Sequence, residues 1–176
     1  MDDLIKELEL DLAKASTGEG GKTVLLGSDH AGFSLKNTVK DFLLAEGFKV
    51  EDQGAFTLDE GDDYPDLIRI VARRVASSPE DFVGIIFGGS GQGEAIVANR
   101  LPGVRAVVYY GGSSEIIKLS RQHNDANILS IGARFVTAEE VLPLIKLWLT
   151  TPFSGEDRHE RRIKKIDGQI IEENHF

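Results

Sequence analysis

Glu94 is the residue around which chemistry can be built. It closes the run Gly88-Gly89-Ser90-Gly91-Gln92-Gly93, which ends an apolar stretch, Val83 to Phe87, and precedes a segment that reads as helix, Ala95 to Arg100. Glycines let the backbone turn tightly and let a ligand approach the N–H groups. Those N–H groups and the helix N-terminus favour negative charge. An anion-stabilising turn beside a carboxylate suits a reaction in which Glu94 removes a proton and the turn holds the resulting oxyanion. The helix N-terminus is expected to keep Glu94 ionised at neutral pH, and capping of that helix is the plainer use of such a residue. The turn lacks the Lys-Ser/Thr of a P-loop. It is also not a GxGxxG after the first strand, so a nucleotide loop is not indicated.

Other polar groups cluster in the same manner: Asp29-His30, His123-Asn124 and Arg134. His30, His123 and His159 lack i,i+4 or HxH spacing, so no metal is expected. Arg158, Arg161, Arg162, Lys164 and Lys165 place five of the 20 basic residues within a short acidic-protein segment. Arg158 and Arg162, four apart, share a helix face and could fork onto a phosphate bidentately.

The elements that must position these groups follow from apolar periodicity. Strands are expected at Thr23–Gly27, Phe48–Glu51, Val83–Phe87, Val104–Tyr109 and Ile128–Ile131, each short and apolar. Helices are expected around Leu35 to Leu43 (ended by Gly47), Leu67 to Ala76, Ala95 to Arg100, Ile116 to Gln122, Val141 to Leu149 and Asp157 to Ile171. Thr57 to Pro65 reads as an acidic loop. Alternating strands and helices imply a three-layer α/β/α, Rossmann-like fold with a five-stranded parallel sheet covered on both faces. Ligands in such sheets bind beyond the carboxyl ends of the strands. The clusters at Asp29, Gly88 to Glu94, His123 and Arg134 all follow strand or helix ends, which suggests one pocket.

The chain has 176 residues, a net charge of −9 and no cysteine. That length suits one domain. The charge argues against nucleic acid and anionic membrane as partners. No disulfide, thiolate nucleophile or Cys-ligated metal is possible. Apolar runs are too short for a membrane span, and no signal-like segment is seen, so a cytoplasmic location is expected. Residues 1–21 form a separate extension ahead of the main domain at 22–176. In it Leu4, Ile5, Leu8 and Leu12 recur at helical spacing among Asp2, Asp3, Glu7 and Glu9, and Thr17 to Gly21 reads as a link. Packing on the body or on a neighbouring subunit is the expected role.

The motifs GSDHAG, GGSGQGEAIVANR, SRQHNDAN, GAR and RHERR, in this order, resemble the type B ribose-5-phosphate isomerases. The wider family includes allose-6-phosphate isomerase and the galactose-6-phosphate isomerase subunits. The resemblance runs from about Lys22 to Ile166 and leaves out the N-terminal extension. It implies a metal- and cofactor-free interconversion of aldose and ketose phosphates through an enediolate. Many members use a Cys base in the same region; a chain without Cys resembles the branch that uses Glu, here Glu94. The resemblance further implies His123 as the acid in ring opening, Asp29 near the ring oxygens, and Ser90 with the N–H groups from Gly89 through Gly91 and Gln92 to Gly93 around the enediolate. It implies Asn124 as a hydroxyl contact and His30, Arg134, Arg158 and Arg162 at the phosphate end. The two C-terminal arginines would come from the other subunit of a homodimer or dimer of dimers, and Tyr64 and His159 would be neighbours. The competing readings are a hexose-6-phosphate isomerase of the same family and a non-enzymatic flavodoxin-like binding module. A binding module has no need of the base, acid and arginine pair together.

Overall fold

The structure is a computed structural model that describes residues 21–168. The expected N-terminal helix, the link up to Gly20 and the last residues of the expected C-terminal helix lie outside the described residues. The described chain holds β1 Thr23–Ser28, α1 Phe33–Ala45, β2 Val50–Asp52, α2 Tyr64–Ser77, β3 Phe82–Gly88, α3 Gln92–Ala98, β4 Ala106–Tyr109, α4 Ser114–Asn124, β5 Ile128–Gly132, α5 Ala138–Thr150 and α6 Asp157–Ile166. The strands form one all-parallel sheet in the order β2-β1-β3-β5-β4. The chain order reverses between β1 and β3, so the switch point lies at their carboxyl ends, where Asp29 and the glycine turn emerge.

Successive side chains of a strand face opposite sides of a sheet, and the two cores show it. Val24, Leu26, Val83, Ile85 and Phe87 pack with α1, α4 and α5 through Val39, Leu43, Ile117, Val141, Ile145 and Trp148. Leu25, Ile86 and Ile128 pack with α2 and α3 through Ile68, Val71, Ala72, Val75 and Ala98. A β-carbon at Gly84 would stand 2.9 Å from a Val71 methyl, which brings α2 close to the sheet.

The boundaries differ from those the sequence suggests, for local reasons. Phe48 donates its N–H to Leu43 O and so belongs to the end of α1, where Gly47 turns at φ 82°; β2 therefore starts at Val50. Helix α2 starts at Tyr64, not Leu67, because Pro65 is tolerated in a first turn and shortens the acidic loop. Val104 and Arg105 bond to Leu101 O and the Asn127 side chain, which delays β4 to Ala106. Helix α3 begins at Gln92, three residues early, since Gly91 at φ 76° serves as its N-cap. Helix α6 ends at Ile166, short of Ile171, with Asp167 as its C-cap.

Candidate active site

At the carboxyl end of β3 the chain enters the glycine turn, and Glu94 falls in the first turn of α3. Its side chain folds back against the backbone of Gly88, so closely that a β-carbon there would overlap the carboxylate. Gly88 is thus required by contact. The turn is pinned from β5: Ser130 Oγ donates to Gly91 O at 2.6 Å, Ala133 N–H to Gly88 O at 2.8 Å, and Arg134 N–H to Gly89 O at 3.1 Å. The Arg134 guanidinium lies over the turn, 3.3 Å from where a Gly89 β-carbon would be. The Tyr64 hydroxyl closes the other side, 2.7 Å from the equivalent point at Gly93. Ser90 Oγ accepts from Gln92 N–H at 3.4 Å.

Glu94 is only 4% exposed. Burial raises its pKa above the ordinary carboxylate value; its own backbone N–H pulls the other way, and the nearby charge of Asp29 adds to the rise. Desolvation thus outweighs the donor, and the net shift runs opposite to the one a helix N-terminus alone would give. A carboxylate shifted upward is a stronger base when it does ionise.

Asp29 and His30 leave β1 beside this turn. Asp29 is buried and accepts the Gly32 N–H at 2.9 Å. His30 Nδ1 hydrogen-bonds Asp62 Oδ1 at 2.7 Å, and that bond raises the His30 pKa above its ordinary value. The second Asp62 oxygen is buried with no hydrogen-bond partner among the described residues. The sequence reading did not single out Asp62, which sits in a run of acids; its nearness to the start of α2 was the available signal. Asp29, His30 and Asp62 offer ligand atoms all within 4.8 Å of one another. These residues could hold a cation, although the His30–Asp62 bond already uses one atom from each. The fold supplies a closeness that their sequence spacing does not reveal.

His123, Asn124 and the α6 residues lie elsewhere. In this parallel sheet α4 runs back from the carboxyl end of β4 to the amino end of β5, and His123 and Asn124 are its last residues. Arg105, just ahead of β4, donates to Asn124 O at 2.9 Å, which fixes them at the amino ends of the strands. A strand rises about 3.3 Å per residue, so the length of β5 alone puts roughly 15 Å between the two ends. Helix α6 packs there. His159, 3% exposed, stacks on His123 with ring centres 4.2 Å apart and planes 14° apart. Burial, and then the charges of His123 and Arg158, lower the His159 pKa. Arg158 donates Nε–H to His159 Nε2 at 3.1 Å and also pairs with Glu156 at 2.8 Å. His123, Asn124, His159 and Arg162 line one hollow. The single-pocket expectation thus does not hold within one chain: Glu94, Ser90, Asp29, His30 and Arg134 gather at one end, and His123, Asn124 and Arg162 at the other.

An open parallel sheet with a carboxylate-bearing glycine turn at its switch point places the chain in the class of α/β proteins built to take a ligand at that point. More particularly, residues 24–166 match the Ribose/Galactose Isomerase family, and the chain belongs to that family. It is 44% identical over 140 residues to ribose-5-phosphate isomerase B of Mycolicibacterium paratuberculosis, covering 80% of this chain and 86% of that protein. It is 39% identical over 145 residues to the Escherichia coli protein of the same name, covering 82% and 94%. Among solved structures, ribose-5-phosphate isomerase B of Mycoplasma genitalium with bound ribulose-5-phosphate superposes with a TM-score of 0.79 at 36% identity, covering 83% of this chain and 94% of that one. The Thermotoga maritima enzyme does so with a TM-score of 0.76 at 41% identity, covering 84% and 98%.

Proposed function

We propose that this sugar-phosphate isomerase interconverts ribose 5-phosphate and ribulose 5-phosphate, and that each catalytic centre joins the Glu94 end of one subunit to the His123 end of another. The observation that carries the chemistry is the buried Glu94 carboxylate, pressed on Gly88 under the glycine turn. Glu94 takes the proton from C2 of the open-chain aldose and returns it to C1. A C–H beside a carbonyl is a weak acid, so donors must stabilise the enediolate. Ser90 and the N–H groups from Gly89 to Gly93 serve there; one such donor is typically worth about 10²–10³ in rate. Asp29 stands by the ring oxygens.

His123 opens the sugar ring as an acid, with its ring held by the neutral face of His159. Asn124 contacts a hydroxyl. His30, Arg134, Arg158 and Arg162 hold the phosphate, so that binding energy remote from the reacting carbons fixes them against Glu94. Since topology separates Glu94 from His123 in one chain, a two-fold pair of subunits that brings opposite ends together supplies both halves of each centre. The placement of the arginines supports this reading: Arg162 lines the same hollow as His123, so acid and phosphate fork cross over together.

Assay with ribose 5-phosphate against allose 6-phosphate tests the substrate. The account expects the pentose phosphate to have the higher kcat/KM. A higher kcat/KM for the hexose phosphate would move the chain to the hexose branch, and turnover of neither would remove the isomerase reading.

A further inference from the structure

We infer that residues 1–16 of this chain dock their apolar face into a basic-rimmed groove at the amino ends of β1 and β3, on the far side of the body from Glu94. This inference is independent of the substrate proposed above.

The groove has a volume of about 290 Å³ and is floored by Phe48, Trp148 and Leu149. An apolar cavity of about 150 Å³ admits benzene, so this one has room for about two leucine side chains. Among the described residues its charged groups are Lys22, Lys49 and Arg121 and no acid lines it, although the chain carries a net charge of −9. Arg121 is already committed, to Asp125 at 2.9 Å and to the Trp148 ring at 5.5 Å from its centre. Lys22 donates to the neutral Pro79 carbonyl, and neither Lys22 nor Lys49 pairs with a carboxylate among the described residues. Two cations beside an apolar floor call for an occupant that is apolar and flanked by acids.

Residues 1–16 have that pattern. At 100° per residue, Leu4, Ile5, Leu8 and Leu12 form one stripe, with Glu7 and Asp11 along one border and Glu9 along the other. Residues 1–20 contain six acidic and two basic side chains. The chain also enters the described structure at the groove itself, since Gly21 lines it. Fully extended, the link from Ser16 to Gly21 spans at most about 18 Å. The stripe is thus held near the groove at high effective concentration, and a weak contact suffices. Thr151 and Pro152, the start of the connection from α5 to α6, form part of the same wall, so the docked segment would brace the base of the helix that carries His159 and Arg162.

The absence of cysteine gives a clean test in the full chain. Thr150 is exposed and lines the groove, while Phe56 is exposed at the opposite end of the sheet. Disulfides form only when Cα atoms come within about 7 Å. Under mild oxidation, L8C with T150C should cross-link within one chain, giving a compact monomer on non-reducing gels, whereas L8C with F56C should not. Adding L4D and L12D to the first pair should lower its yield several-fold. Equal yields from the two pairs, an unchanged yield after L4D and L12D, or a covalent dimer as the main product would overturn the inference.

Discussion

At the carboxyl ends of the strands the functional groups are set by backbone; at the amino ends they ride on helix side chains that touch one another. Glu94 is confined by the backbone of Gly88, and the glycine turn by hydrogen bonds from Ser130, Ala133 and Arg134. His123 is placed by one stacked ring, His159, on a neighbouring helix. The first arrangement is buried and tied down by backbone hydrogen bonds, which suits the proposed role of Glu94 as a base. The second is built from side chains on α4 and α6, whose positions depend on how helices pack. Substitutions at the first end should therefore damage turnover far out of proportion to stability.

The largest effect should come from Glu94→Gln, with kcat reduced by about 10²–10⁴ and KM nearly unchanged, the pattern of a lost transition-state role. Stability should move the other way. Burial raises the folded pKa of Glu94 above the ordinary 4.5. The stability tied to its protonated form is complete below that ordinary value and is lost as pH rises through the folded pKa. At neutral pH the Gln variant should melt at or above the parent temperature and lack this pH slope. Scanning calorimetry at several pH values checks it, and a variant of lower stability with full turnover would break the contrast between the two ends.

Gly88→Ala should come next. The added methyl occupies the space of the carboxylate, and a displacement of about 1 Å can cost on the order of 10²-fold in rate. Circular dichroism should show the fold retained while kcat falls. Normal kcat would mean that Glu94 need not rest on Gly88.

The smallest effect should follow Asp62→Asn. The hydrogen bond to Asp62 is the main cause of the raised His30 pKa. Its loss should lower the His30 titration midpoint, read by NMR, and raise KM a few-fold around neutral pH. An unmoved midpoint would show that Asp62 does not govern the charge of His30.

Much of this was legible in the residues. Val83 to Phe87 running into a glycine-dense turn is a strand-to-helix junction whatever surrounds it, and the five strands fell close to their expected places. The position of His123 was not legible as read. Asp29 and Arg134 follow strands, whereas His123 ends a helix, and in a parallel sheet those are opposite ends. Asp62 was lost among Asp59, Glu60 and Asp63, because a run of acids gives no periodic signal to choose between them. Lys36, which the sequence reading did not single out, is fully buried and paired with Asp52 at 2.6 Å across from α1 to β2. Long-range pairing of that kind leaves no mark on local sequence. The direction of the Glu94 pKa shift was not legible because burial, its largest cause, depends on the packed structure.

The central claim is that each centre needs Glu94 from one subunit and His123 from another. Glu94→Gln and His123→Ala homo-oligomers should each be nearly inactive. When the two are mixed under conditions that exchange subunits, a two-fold pair of unlike chains has one centre with both defects and one with neither. Random mixing should restore about a quarter of parental activity, since about half the pairs are mixed and each has one intact centre. Demonstrated exchange with no return of activity would place Glu94 and His123 in separate roles and contradict the account.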